Sequence, residues 1–192
     1  MLSGITLPIS AIIISQDSII GEKQSGTAAW VLSKPVTRAA FILSRLGADA
    51  LGLLVTGVLI QGVIAYTQIS IAIKVIWPRL RFLEALGLVF LYLIFYLTLM
   101  RMLGTLFKSW GLVVGISLPL AIGGNYLVQL VPFLKLTTPW TFFMPAVCGE
   151  MSLAFSLATG RPLFSVIPII SCILLSICFT AISVWRFQRE EF

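Results

Sequence analysis

The chain has no histidine and little charge of either sign: 13 Lys plus Arg and 7 Asp plus Glu among 192 residues. Charged residues make up 10%, against roughly 25% in soluble globular domains. A chain of this size can bury a core in water, but so few charges cannot cover that core, and the remaining apolar surface needs lipid. The absence of histidine excludes Ser-His-Asp and Cys-His nucleophile systems and the His-Glu-x-x-His zinc sites. Cysteine is scarce as well. Cys148, Cys172 and Cys178 form an odd set without C-x-x-C spacing, so neither a disulfide framework nor a zinc centre is expected, and they read as small apolar fillers. No Walker A motif exists, because Gly21-x4-Gly26 is followed by Thr27 where the phosphate-binding lysine would stand. No catalytic residue, metal ligand or bound cofactor is expected of this chain.

Hydrophobic residues make up 59% of the chain, and they come in long runs. Four stretches free of Asp, Glu, Lys and Arg have membrane-span character: residues 50–73, 85–100, 109–134 and 162–185. A helix needs about 20 mostly apolar residues to cross the hydrocarbon core. The second stretch is short, but Glu84 and Arg101 can snorkel, and Phe82, Leu83 and residues 102–107 extend it. A further apolar stretch, residues 1–15, contains Pro8 and ends before Asp17, so it reads as a clipped fifth membrane helix. It is not a signal peptide, since no Lys or Arg precedes Lys23. The expectation is an all-α, polytopic membrane protein of about five transmembrane helices.

The net charge of +6 would raise nucleic-acid binding in a soluble protein; here its placement reports topology. One side carries Lys23, Lys34, Arg38, Arg45, Arg101, Lys108, Arg186 and Arg189, and the other Lys74, Arg79, Arg81, Lys135 and Arg161. The positive-inside bias makes the first side cytoplasmic, with the C-terminus inside and the N-terminus outside, in the cell membrane. The chain then divides into a partial helix (1–16), a cytoplasmic segment (17–45), three membrane helices (46–131), an external loop with short re-entrant or interfacial helices (132–162), a last membrane helix (163–185) and a cytoplasmic tail (186–192). In the external loop, Trp140, Phe142 and Phe143 read either as membrane-interface anchors or as the lining of an exit path.

The segment 17–45 is the most patterned. Gly26 can bend the chain, Ser25 and Thr27 can cap a short helix centred on residues 28–32, and Pro35 ends it. Thr37 can cap the next helix, on which Arg38 and Arg45 share a face. That helix is expected to run along the headgroups and turn into the bilayer at about Asp49, with Asp49 pairing to Arg45 across one turn. The short apolar helix either rests in the interface with Trp30 among headgroups or serves as a peg for the groove of a soluble partner. Gln61, Gln68, Asn125 and Gln129 are the main polar groups within the spans and are expected to bridge helices. Buried ionisable residues of the kind an ion pump needs are not expected. Gly111-x-x-x-Gly115 permits close helix contact, which a dimer interface would use.

The order Glu22, Gly26-Thr27, Leu32-Ser33, Pro35, Thr37-Arg38, Phe41 and then a membrane span resembles the coupling-helix signature of type 2 ABC transporter permeases. These are exporter-class membrane subunits whose segment reads roughly Glu-x-x-x-Gly-Thr, Leu-Leu-Ser-x-Pro-Val-Ser-Arg. Residues 104–109 resemble that family's tight cytoplasmic turn before its fifth helix, and residues 185–192 its basic-aromatic cytoplasmic end. The resemblance implies a second permease copy, identical or different, and a cytoplasmic nucleotide-binding subunit that supplies ATP and magnesium. It places Glu22, Gly26, Thr27, Trp30, Val31, Leu32, Pro35 and Arg38 at the ATPase contact. Trp30, Val31 and Leu32 enter the groove, Gly26 and Pro35 shape the peg, and Glu22 and Arg38 orient it by charge. The implied cargo is hydrophobic or amphiphilic and the direction is export. The family has six membrane helices, so mapping this segment onto its second loop leaves the first helix without a counterpart; the length reads as one helix short, through truncation, a late start or a reduced variant. Rival readings are a non-transporting anchor subunit and a stand-alone channel or carrier.

Overall fold

The computed structural model describes residues 2–15, 37–74, 77–107, 109–131, 138–143, 151–163 and 165–189. Among them every regular element is helical. In chain order these are α1 (Leu2–Ser15), α2 (Arg38–Leu53), a π-helical segment (Leu54–Ile60), α3 (Gln61–Ile73), α4 (Arg79–Leu106), α5 (Trp110–Leu130), a 3-10 turn (Pro139–Phe142), α6 (Leu153–Thr159) and α7 (Ile167–Gln188).

Among the described residues three helical stretches are long and apolar enough to cross a membrane: Arg38–Ala72, Arg79–Leu106 and Ile167–Gln188. At about 1.5 Å per residue, the 28 residues of α4 extend about 42 Å, against a hydrocarbon core about 30 Å thick. A shorter apolar stretch, Trp110–Gly124, lies within α5. Large apolar side chains such as Leu51, Val63, Ile71, Leu112, Ile170 and Leu174 stand exposed on the outer faces, as lipid-facing helices require. The chain is an all-α membrane protein.

The helix expected to turn at Asp49 does not turn there. Backbone torsions stay right-handed helical at Leu53, Leu54, Ile60 and Gln61, so α2, the π segment and α3 form one rod of 35 residues up to Ala72. No proline or capping side chain interrupts it, and helical hydrogen bonding is the lowest-cost state for a backbone entering lipid. The rod is about 52 Å long, which exceeds the hydrocarbon core and lets its α2 end extend beyond the bilayer. The rod also contains seven π-helical residues. A π turn is wider than an α turn and leaves room for close approach by a neighbour. Here Gly57 faces Leu93 of α4, where a Cβ would sit 3.3 Å from Leu93 Cδ1, and Gly62 faces Leu86 even more closely.

Helix α4, whose charge-free stretch is the shortest of the four, is the most enclosed. Residues Phe95, Tyr96, Leu97, Thr98, Leu99, Met100 and Arg101 are all buried, so every face of the helix is covered over two turns. Helix α7 covers one side, with α1, α2, α5 and α6 around the rest. Ala11 and Ile12 of α1, Cys172 of α7 and Val113 of α5 complete this core.

Trp140 and Phe142, read as possible interface anchors, are instead 7% and 0% exposed. Trp140 Nε1 donates to Tyr96 Oη at 2.9 Å, and Tyr92 lies edge-on to Tyr96 and to Phe143 at 5.2 and 5.1 Å. The approach depends on Gly124, where any Cβ would overlap the indole ring. Farther toward the start of α4, Trp77 Nε1 donates to the Ala158 carbonyl at 2.7 Å and Arg81 Nη1 to the Thr159 carbonyl at 3.2 Å. The arginine lies over Gly160, whose φ of +70° closes α6. Gly124→Ala should unseat Trp140 and cost about 1–3 kcal/mol, read as a lower thermal midpoint in detergent. Gly123→Ala meets no atom within 4 Å and should leave the midpoint unchanged. Equal midpoints for the two variants would contradict this packing.

Candidate functional site

Of the residues expected at an ATPase contact, Glu22, Gly26, Thr27, Trp30, Val31, Leu32 and Pro35 lie outside the described residues. Arg38 lies within them, as the first residue of α2. Thr37 caps this helix as its sequence suggests: its torsions are extended and its Oγ1 accepts from the Ala40 amide at 3.3 Å. The patterned segment therefore passes into α2 through a fixed start.

From that start α2 is anchored to two other helices. On α7, Arg38 Nη1 donates to the Gln188 carbonyl at 3.0 Å, and Phe41 stacks on Phe187 with centroids 5.8 Å apart and planes 15° from parallel. Ile42, 1% exposed, completes this contact with Val184. On α4, Arg101 Nη2 donates to Asp49 Oδ2 in a direct salt bridge.

That salt bridge adds to one expectation and corrects another. Asp49 pairs across helices with Arg101, a partner that the local spacing did not name, and an ionisable residue is buried where none was expected. The cause of both is the unbroken rod, which carries Asp49 against α4. The Arg101 side chain is 2% exposed and that of Asp49 24%. A buried guanidinium requires a countercharge, and Asp49 supplies it. Arg101 was visible in the sequence only as a basic residue flanking a short span. Among the described residues its Nε and Nη1 have no hydrogen-bond partner, so Asp49 carries the burden of compensating the charge.

Gly111 and Gly115 do not pack helices together within the described residues. Both are exposed; nothing lies within 4 Å of a Cβ at Gly115, and at Gly111 only Ser109 Oγ, at 3.8 Å. The close approaches occur at Gly57, Gly62 and Gly124 instead. The first two lie beside a cavity of ≈ 550 Å³ between α1, the π segment and α4. Thr6, Ser10, Thr56 and Gln61 are its polar lining, and no charged side chain among the described residues reaches it. Gln61 thus faces a cavity rather than bridging helices.

This geometry is mechanical. One helix, continuous with the patterned segment, is bolted to two others by an ion pair, a cation-to-carbonyl bond and a ring stack. Asp49→Leu should cost about 3–5 kcal/mol of stability, read as a much lower thermal midpoint, because it leaves a buried cation unpaired. Asp49→Leu combined with Arg101→Met should recover most of that loss, since two apolar groups replace both charges. A single variant as stable as the parent would contradict the bridge.

The family model described as ABC-2 family transporter protein matches residues 4–192. No curated protein matches the chain. The match runs from within α1 to the C-terminus, so it takes in the helical core, the patterned segment and its anchored helix together. By a match that covers nearly its whole length, the chain belongs to the ABC-2 family of transporter proteins and is a membrane permease of an ABC transporter.

Proposed function

We propose that this chain is the permease subunit of an exporter, moving a hydrophobic or amphiphilic cargo with ATP hydrolysed on a separate cytoplasmic subunit. The observation that carries the reading is the double anchorage of α2, through Asp49 to α4 and through Arg38 and Phe41 to α7. A push on the short helix around residues 28–32 travels into α2, and α4 and α7 follow it as a rigid body. In this reading Trp30, Val31 and Leu32 fill the ATPase groove, Gly26 and Pro35 shape the peg, Glu22 and Arg38 orient it, and Thr27 caps it. Arg38 also has a structural task, which is to hold α2 on the Gln188 carbonyl.

The orientation follows the lysine and arginine bias, with the α2 start and the α7 end in the cytoplasm of a cell-membrane protein. ATP and magnesium belong to the partner, and a second permease copy completes the pathway. Gly111 and Gly115, exposed on α5, lie on the face assigned to that copy. The uncharged, part-hydroxylated cavity beside the π segment supports an amphiphilic cargo without a net charge to neutralise.

Leu32→Glu should abolish co-purification of a soluble ATPase with the membrane protein, because it places a charge on an apolar contact. Val166→Glu, an exposed position at the far end of the last helix, should leave the complex intact. Retained ATPase after Leu32→Glu would count against the peg. A purified complex without any ATPase would favour the anchor reading.

A further inference from the structure

A groove of ≈ 580 Å³ runs between α2, α4 and α7, outside the cavity described above. Its walls are Leu43 and Leu46, Ile94, and Ile177, Val184 and Trp185. The hydroxyls that also line it are turned to their own helices: Thr98 donates to the Ile94 carbonyl at 3.0 Å, Ser176 to Cys172 at 2.8 Å and Thr180 to Ser176 at 2.8 Å. Apart from Gln188 at its end, the walls therefore ask for no hydrogen bond, and within a bilayer such a groove takes hydrocarbon. Along α7 it extends from Gln188 to Ser176, about 18 Å at 1.5 Å per residue. That length suits one acyl chain reaching from the headgroup level toward mid-bilayer.

The mouth is cationic. Arg38 reaches the carbonyl of Gln188, which itself lines the groove, and the Arg189 guanidinium lies 4.3 Å over the ring of Trp185. Arg186 stands three residues before it, exposed at the same helix end. Glu190 and Glu191 follow outside the described residues. An apolar slot that ends at clustered arginines matches a lipid with an anionic headgroup.

We infer that this groove is a specific site for an anionic membrane phospholipid, with one acyl chain along α7 and the phosphate held by Arg38 and Arg189. The lipid lies on the α2–α7 seam that Arg38 and Phe41 form, so it reinforces the anchorage of α2. Neither the ATPase partner nor the cargo enters this inference, and its test is independent of both.

The test uses the full chain in vesicles of phosphatidylcholine carrying a small fraction of brominated phosphatidylglycerol or brominated phosphatidylcholine. The readout is the part of the tryptophan emission that Trp185→Phe removes, because Trp185 lines the groove. Brominated phosphatidylglycerol should quench that component at lower mole fraction than brominated phosphatidylcholine. Arg189→Gln should reduce the preference roughly five-fold, while Arg189→Lys retains it. Ala181→Phe, which fills the groove, should remove quenching by both lipids without lowering the thermal midpoint. Equal quenching by the two lipids, or a preference unmoved by Arg189→Gln, would overturn the headgroup site. Absence of quenching by either lipid, with Cys178 crosslinking between copies, would overturn it in favour of a second permease copy on this face.

Discussion

A guanidinium buried to 2% exposure near the end of the most enclosed helix is the constraint around which the α2 end of the molecule is organised. Removing such a charge from water costs far more than a typical packing contact returns, so its countercharge cannot be optional. Asp49 supplies it from 52 residues away. For that carboxylate to arrive, α2 must lie against α4, and the rod must pass Asp49 without a bend. The ion pair and the straight rod are thus two aspects of one requirement.

With α2 held there, its start falls beside the end of α7, where Arg38 and Phe41 find Gln188 and Phe187. The extensive contact between α4 and α7 closes the triangle. The opposite part of α4 is tied as well, through Trp77 and Arg81 to the carbonyls ending α6 and through Tyr96 to Trp140. Helix α4 becomes a spine with attachments along its length, while the outer faces of α3 and α7 remain apolar and exposed. Such a unit resists continuous deformation, because its interior is close-packed.

The membrane class and the helical architecture were legible in the sequence because lipid imposes length and polarity on every residue of a span. The Thr37 cap was legible for the same local reason, since capping needs only a neighbour three residues on. Partners distant in sequence were not. Arg45, four residues from Asp49, is the pairing that periodicity offers, and nothing local names Arg101, 52 residues away, as the buried charge that Asp49 compensates. Trp140 beside prolines reads as an interface aromatic, and only the open face of Gly124 reveals that the indole goes inward. Hydropathy likewise could not single out α4 as the spine, because lipid-facing and protein-facing side chains are equally apolar. The spacing Gly111-x-x-x-Gly115 named a small-residue face but not which side of α5 meets its neighbours.

The central claim is that α2 and α7 move together. Its most direct test is the distance between spin labels at Ser44 on α2 and Cys178 on α7, both exposed, measured in the assembled transporter without nucleotide and trapped with ATP and vanadate. The account predicts one narrow distance that is the same in both states, and a broadened one in Asp49→Asn. A distance in the parent protein that shifts between the two states would contradict it.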